Sequence, residues 1–205
     1  MMRASFDCGV FIWRGVSQVF VPTELMLCKW NCAMRNVVRT VCLLAMIGVT
    51  PAHASDAIKQ HIPNAEKVGE GRFTFMLWDL YDAALYAPNG RWDADQPYAL
   101  QLSYLRNLSG QKIADKSIEE MRKQGFNDEI TLADWHAQMV EIFPDVDKET
   151  HLTSIYRGNG ETIFFNGSTE IGRVKSREFE KRFFDIWLSQ KTSAPSLRAE
   201  LLGGS

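Results

Sequence analysis

The stretch Gly71–Gly90, GRFTFMLWDLYDAALYAPNG, is apolar at most positions between its ends, with a period close to two. Phe73, Phe75 and Leu77 fall on one side of an extended chain; Arg72, Thr74, Met76 and Trp78 fall on the other. A second half, Leu80–Ala87, ends at Pro88-Asn89-Gly90, whose residue types favour a tight turn. Apolar residues on both faces predict strands covered, at least in part, on both sides. Tyr98–Arg106 alternates cleanly, with Tyr98, Leu100, Leu102 and Tyr104 on one face, and reads as a third strand. The spacing then becomes helical: Ile113, Ser117, Ile118 and Met121 form one stripe, with Gly125 as the stop. A second helix is expected to open at Thr131, with Asp134 three residues on as in a capping box, and to carry Leu132, Trp135, Met139 and Ile142 before Pro144. Three short alternating runs occupy His151–Val174, split by Gly158-Asn159-Gly160 and by Asn166-Gly167, a strong hairpin signal. A last long helix, Ser176–Ser189, puts Phe179, Phe183 and Ile186 on one face, and Pro195 sets off a short tail helix around Leu197–Leu202. Ser55–Asn64 is polar and reads as a loose arm. This order, β-β-β-α-α-β-β-β-α, predicts an α+β domain in which a mostly antiparallel sheet carries helices on one side.

The beginning of the chain follows a different logic. Met34–Ala54 has two arginines, a short apolar run and Ala52-His53-Ala54, the three parts of a secretory signal with its cleavage site. The apolar run Val41–Val49 is too short to cross a bilayer, which takes about 20 residues. The expected organisation is therefore an over-extended stretch at residues 1–33, a signal peptide at 34–54 cleaved after Ala54, and one domain at 55–205, delivered to the periplasm or secreted without a membrane span. All four cysteines (Cys8, Cys28, Cys32, Cys42) precede Ser55, which leaves the domain no disulfide, thiolate ligand or cysteine nucleophile. Residues 55–205 carry 18 Lys/Arg and 23 Asp/Glu, net −5, and an acidic balance argues against nucleic acid as a partner.

Candidate chemistry is sparse. There is no nucleophile elbow, phosphate loop, dinucleotide fingerprint or zinc-protease motif. His61, His136 and His151 stand far apart, so no metal and no cofactor is expected. The acidic run Asp145, Asp147, Glu149 lacks the glycine and closing glutamate of a calcium loop and reads as a solvated turn. Arg72 has two readings, a solvated strand end or the anchor of an apolar pocket. For the second, an arginine fork suits a carboxylate, and Tyr81, Tyr104 and Arg106 lie on strands that could neighbour it.

The segments GEGRFTFMLWDLYDAALYAP, LQLSYLRNLSGQKIADKSIEEM, NGSTEIGRV, FEKRFFDIWL and SLRAELLG together resemble the bacterial chalcone-isomerase-like family, over about Gly69 to Gly203. The resemblance implies an open-faced β-sandwich, a large antiparallel sheet layered with helices on one face. It also implies one of two activities: flavanone ring closure, or fatty-acid binding in which an arginine and a tyrosine hold the carboxylate. By that resemblance Arg72 falls near the pocket arginine and Tyr81 opens the shared tyrosine element. In the helix that carries catalytic groups in the plant enzymes, Lys116 keeps the lysine, whereas Ile113 replaces a tyrosine and Glu120 an asparagine. Ring closure is therefore not expected. The reading that follows is an exported, non-catalytic binder of a small amphipathic carboxylate such as a fatty acid, with Arg72, Tyr81, Tyr104 and Arg106 as ligand residues. Two alternatives stand beside it: an interaction module using Phe183, Phe184 and Trp187, or an isomerase or lyase on another substrate.

Overall fold

A computed structural model describes residues 55–204. The expected leader, the stretch before it and all four cysteines lie outside the described residues. Six strands form one antiparallel sheet in the order of the chain: β1 (Ala65–Phe75), β2 (Trp78–Pro88), β3 (Tyr98–Tyr104), β4 (His151–Tyr156), β5 (Glu161–Asn166) and β6 (Thr169–Lys175). A short helix, α1 (Ser55–His61), precedes β1. Two helices, α2 (Gly110–Lys123) and α3 (Glu129–Ile142), leave the sheet after β3, and the chain then returns to pair β4 beside it. Helices α4 (Arg177–Leu188) and α5 (Pro195–Leu201) complete the chain. No helix among the described residues is long and apolar enough to cross a membrane.

Local chemistry sets the boundaries. Asn89 (φ 54°) and Gly90 (φ 65°) take the left-handed turn that ends β2, and Gly167 (φ 60°) does the same between β5 and β6. The Ser109 hydroxyl accepts from the Lys112 N–H to open α2, and the Ser176 hydroxyl accepts from the Phe179 N–H to open α4. The cap of α3 is not the expected Thr131–Asp134 box. Asp128 accepts from the Ile130 and Thr131 N–H groups, and its other oxygen takes the Thr131 hydroxyl at 2.6 Å. A carboxylate three residues earlier reaches the free amides first, so Thr131 lies inside the first turn.

The main core lies between the sheet and α2–α5. It is built from Leu100, Met121, Trp135, Met139 and an aromatic cluster of Phe164, Phe179, Phe183 and Phe184. Phe183, Phe184 and Trp187 are all buried there, so they form no exposed partner surface. Glu180, only 2% exposed, sits under the β4–β5 turn and accepts from the N–H groups of Arg157, Gly158 and Gly160. Three amide donors satisfy a charge that would otherwise be costly to bury.

Two expectations change here. Ser55–Asn64 is not a loose arm: its helix and the residue just after it lay Ala57, Ile58 and Ile62 on the far face of the sheet, against Ala99, Ile155, Ile163 and Phe165. The larger helical layer therefore lies on one face, and α1 adds a small patch on the other. The alternation read through Leu77 and Trp78 also breaks, because the chain turns at Met76-Leu77 and Trp78 pairs back with Phe75. Met76 adopts φ 57°, a conformation unusual for a residue with a side chain.

The last helix closes on the first strand. Leu197 and Leu201 of α5 are buried against the sheet, and Gly69 and Gly71 of β1 leave room for the backbone and side chain of Glu200.

Candidate functional site

Strand pairing places Phe73 opposite Tyr81, and Tyr81 opposite Tyr104. Side chains paired across neighbouring strands share a face, and this trio faces the helices. Between them and α2 and α4 lies a cavity of about 270 Å³. Its walls are mostly apolar, with Leu102, Leu152, Phe164, Phe183 and Ile186 among them.

Two tyrosines, Tyr81 and Tyr104, line the cavity. Tyr81 stacks on Phe73 (centroids 5.1 Å, 21° between planes) and meets Tyr104 edge-on at 5.9 Å. The Trp187 Nε1–H donates to the Tyr81 hydroxyl at 3.1 Å. Tyr81 therefore acts as acceptor there, and its own O–H makes no bond among the described residues. The Tyr104 hydroxyl forms no hydrogen bond among the described residues, although the residue is only 2% exposed. Burial pushes both phenols well above their ordinary pKa. The Trp187 bond opposes the shift at Tyr81, and the neighbouring Tyr81 adds to it at Tyr104. Both are neutral at any physiological pH and available as donors. The other lining hydroxyls of α2 and its neighbourhood are committed: Ser117 donates to the Ile113 carbonyl, and Ser193 to Glu120 at 2.6 Å.

Charged groups gather on one side. Glu120 is 5% exposed. Burial disfavours its charge, but the Ser193 hydroxyl, Lys123 and Lys116 outweigh that and hold its pKa below the ordinary carboxylate value. Lys116 also pairs with Glu119 at 2.9 Å and lies 5.9 Å from the Phe75 ring centroid. Lys112 lines the cavity as well and has no acidic partner among the described residues.

The four expected ligand residues are thus divided. Tyr81 and Tyr104 come together inside the cavity. Arg72 does not join them: it follows Gly71 and precedes Phe73 in β1, so it projects from the opposite face. There its Nε and Nη2 grip Asp82 at 2.6 and 3.0 Å, and its Nη1 reaches Asp79 at 3.2 Å. Two carboxylates already occupy this guanidinium, in solvent, and Arg72 is not among the residues that line the cavity. Arg106 lies outside too, with its guanidinium 4.1 Å above the Trp78 ring and its Nε donating to the Asp79 carbonyl.

Residues not expected from the sequence to be ligand residues complete the cavity: Trp187, Lys112 and Glu120. One signal was available for the last two. Lys112, Lys116 and Glu120 recur every four residues and so share one side of α2. Ile113, Lys116 and Glu120, the positions compared above with the plant helix, all line the cavity.

A family model described as chalcone isomerase-like matches residues 68–203. The crystal structure of a fatty-acid binding protein from Arabidopsis thaliana shares the fold with a TM-score of 0.54 and 12% identity, over 69% of this chain and 88% of that one. No curated protein matches the sequence. At that identity the structural likeness speaks for the architecture alone, an open six-stranded sheet backed by helices. With the family model spanning β1 to α5, the chain belongs to the chalcone isomerase-like family.

Proposed function

We propose that this protein binds a fatty-acid-like ligand without transforming it, holding the hydrocarbon in the cavity and the head group near Tyr81 and Tyr104. The observation that carries this reading is the mostly apolar cavity with Tyr81 and Tyr104 in its wall, the Tyr104 hydroxyl bonded to no other described residue. A ligand acceptor there gains a hydrogen bond worth about 1 kcal/mol net. Lys112, the lining cation without an acid partner, supplies the charge a carboxylate requires. The volume of about 270 Å³ holds roughly nine groups the size of water at about 30 Å³ each, which suits a medium-length chain. The solved fatty-acid binding protein with this fold points the same way. Export follows from the Met34–Ala54 segment, so we place the ligand outside the cytoplasm.

The test is native mass spectrometry of the full chain with a medium-chain fatty acid and with the matching alcohol. Wild type and Arg72→Ala should take up the acid equally, Tyr104→Phe should bind it more weakly, and Lys112→Ala should lose the preference for acid over alcohol. No uptake by any form overturns the reading, and selective loss in Arg72→Ala returns the anchor to the outer face. Recovery of a chain beginning at Ser55 from the periplasm checks export, and retention of residues 34–54 there refutes it.

A further inference from the structure

The turn between β1 and β2 exposes four consecutive large apolar side chains: Phe75 (51% exposed), Met76 (81%), Leu77 (92%) and Trp78 (55%). Arg106 lies over one face of the Trp78 ring and Lys116 near Phe75, while Met76 and Leu77 stand almost fully in solvent. The turn is braced rather than loose, because the Thr74 hydroxyl donates to Asp79 at 2.7 Å and Arg72 ties Asp79 to Asp82. Holding Met76 at φ 57° costs about 1–2 kcal/mol, and strain of that size tends to persist where it serves a site.

The charges around this tip are sorted. Glu119 and Glu120 are matched by Lys116 and Lys123, and Arg72 pairs with both Asp79 and Asp82, with Arg106 close enough to offset the remaining charge. Lys112 has no acidic partner among the described residues, and Arg106 is stacked directly on Trp78. An apolar tip ending in a tryptophan, with the cations Arg106 and Lys112 beside it, fits the interfacial zone of an anionic bilayer, where indoles settle at headgroup depth and cations meet lipid phosphates. Phe75 belongs both to the tip and to the cavity lining.

We propose that the β1–β2 tip docks on the surface of an anionic membrane, inserting Met76, Leu77 and Trp78 among the lipid headgroups with Arg106 and Lys112 facing the phosphates. The docking rests on the exposure of the tip and not on the ligand reading. If that reading holds as well, Phe75 places the cavity rim at the bilayer, where an amphipathic molecule would enter.

The experiment uses the full chain and vesicles of phosphatidylcholine with phosphatidylglycerol, carrying brominated acyl chains that quench nearby indoles. The Trp78 signal is taken as the difference between wild type and Trp78→Phe, which sets aside the other tryptophans and any binding by the N-terminal segment. The expected result is a blue-shifted, strongly quenched Trp78 signal that loses most of its quenching in the double variant Met76→Ser/Leu77→Ser. Each of these side chains is worth about one tenfold factor or more in partitioning. An unquenched Trp78, or one quenched equally in the double variant, overturns the proposal. So does a Trp78 shift that appears without vesicles and grows with protein concentration, which would mark a contact between copies of the chain. No fatty acid is present, and uptake of a soluble acid in vesicle-free solution is measured separately, so either result can fail alone.

Discussion

Trp187 and Tyr81, 106 positions apart in the chain, meet through a single hydrogen bond, indole N–H to phenol oxygen at 3.1 Å. The bond joins α4 to β2 across the cavity and fixes the ring of Tyr81 so that its own proton points elsewhere. A double-mutant cycle with Tyr81→Phe and Trp187→Phe, read from urea midpoints, should give a coupling of about 1 kcal/mol. Coupling near zero would deny that the bond orients the ring.

Tyr104→Phe should weaken binding without weakening the fold. Removing a hydroxyl that bonds no other described residue should shift the stability of the ligand-free protein by less than about 1 kcal/mol. The same change should weaken fatty-acid binding by roughly fivefold to tenfold, the worth of one hydrogen bond. Equal binding by both forms would remove Tyr104 from the site.

What could be read along the chain, and what could not, follows from the range of each signal. The strands and Tyr81 with Tyr104 were legible because period-two alternation is local and places paired residues on a common face. Alternation also set Arg72 on the face opposite Phe73, where the structure has it, but it could not tell which of the two faces holds the cavity. The turn at Met76-Leu77 was hidden because neither residue is a turn former, so apolar alternation was counted straight through it. Ala57 and Ile58 lie in a seven-residue helix and Ile62 just past its end, too short a pattern to detect. Trp187 as a partner of Tyr81 depends on tertiary packing and leaves no local trace.

High pH should unfold the protein steeply. Burial raises the phenols of Tyr81, Tyr98 and Tyr104 above their ordinary value of 10. The unfolded chain therefore releases these protons first, and stability, complete below that pH, declines as pH rises past it. Each tyrosine removes about 1.4 kcal/mol per pH unit, or about 4 kcal/mol per unit for the three. Urea midpoints from about pH 9 to 11 measure the slope, and Tyr104→Phe should lower it by one third. An unchanged slope would mean that Tyr104 titrates normally in the folded state.

Gly69→Ala should destabilise the protein by about 1–3 kcal/mol, whereas Gly71→Ala should cost less. A methyl on Gly69 would overlap the Glu200 carbonyl oxygen, which is backbone and has nowhere to go; on Gly71 it would meet mainly the carboxylate end of Glu200, which can swing away. Thermal melting of the two variants decides it, and equal losses would show that α5 moves as a unit.

The seating of α5 on β1 also ties together parts of the chain that lie far apart. The apolar face of the first strand is finished by Leu197 and Leu201, from the last helix described. Without them that face of β1 lacks its cover. Cutting the chain just before Pro195 should accordingly loosen β1, a strand far from the cut in sequence.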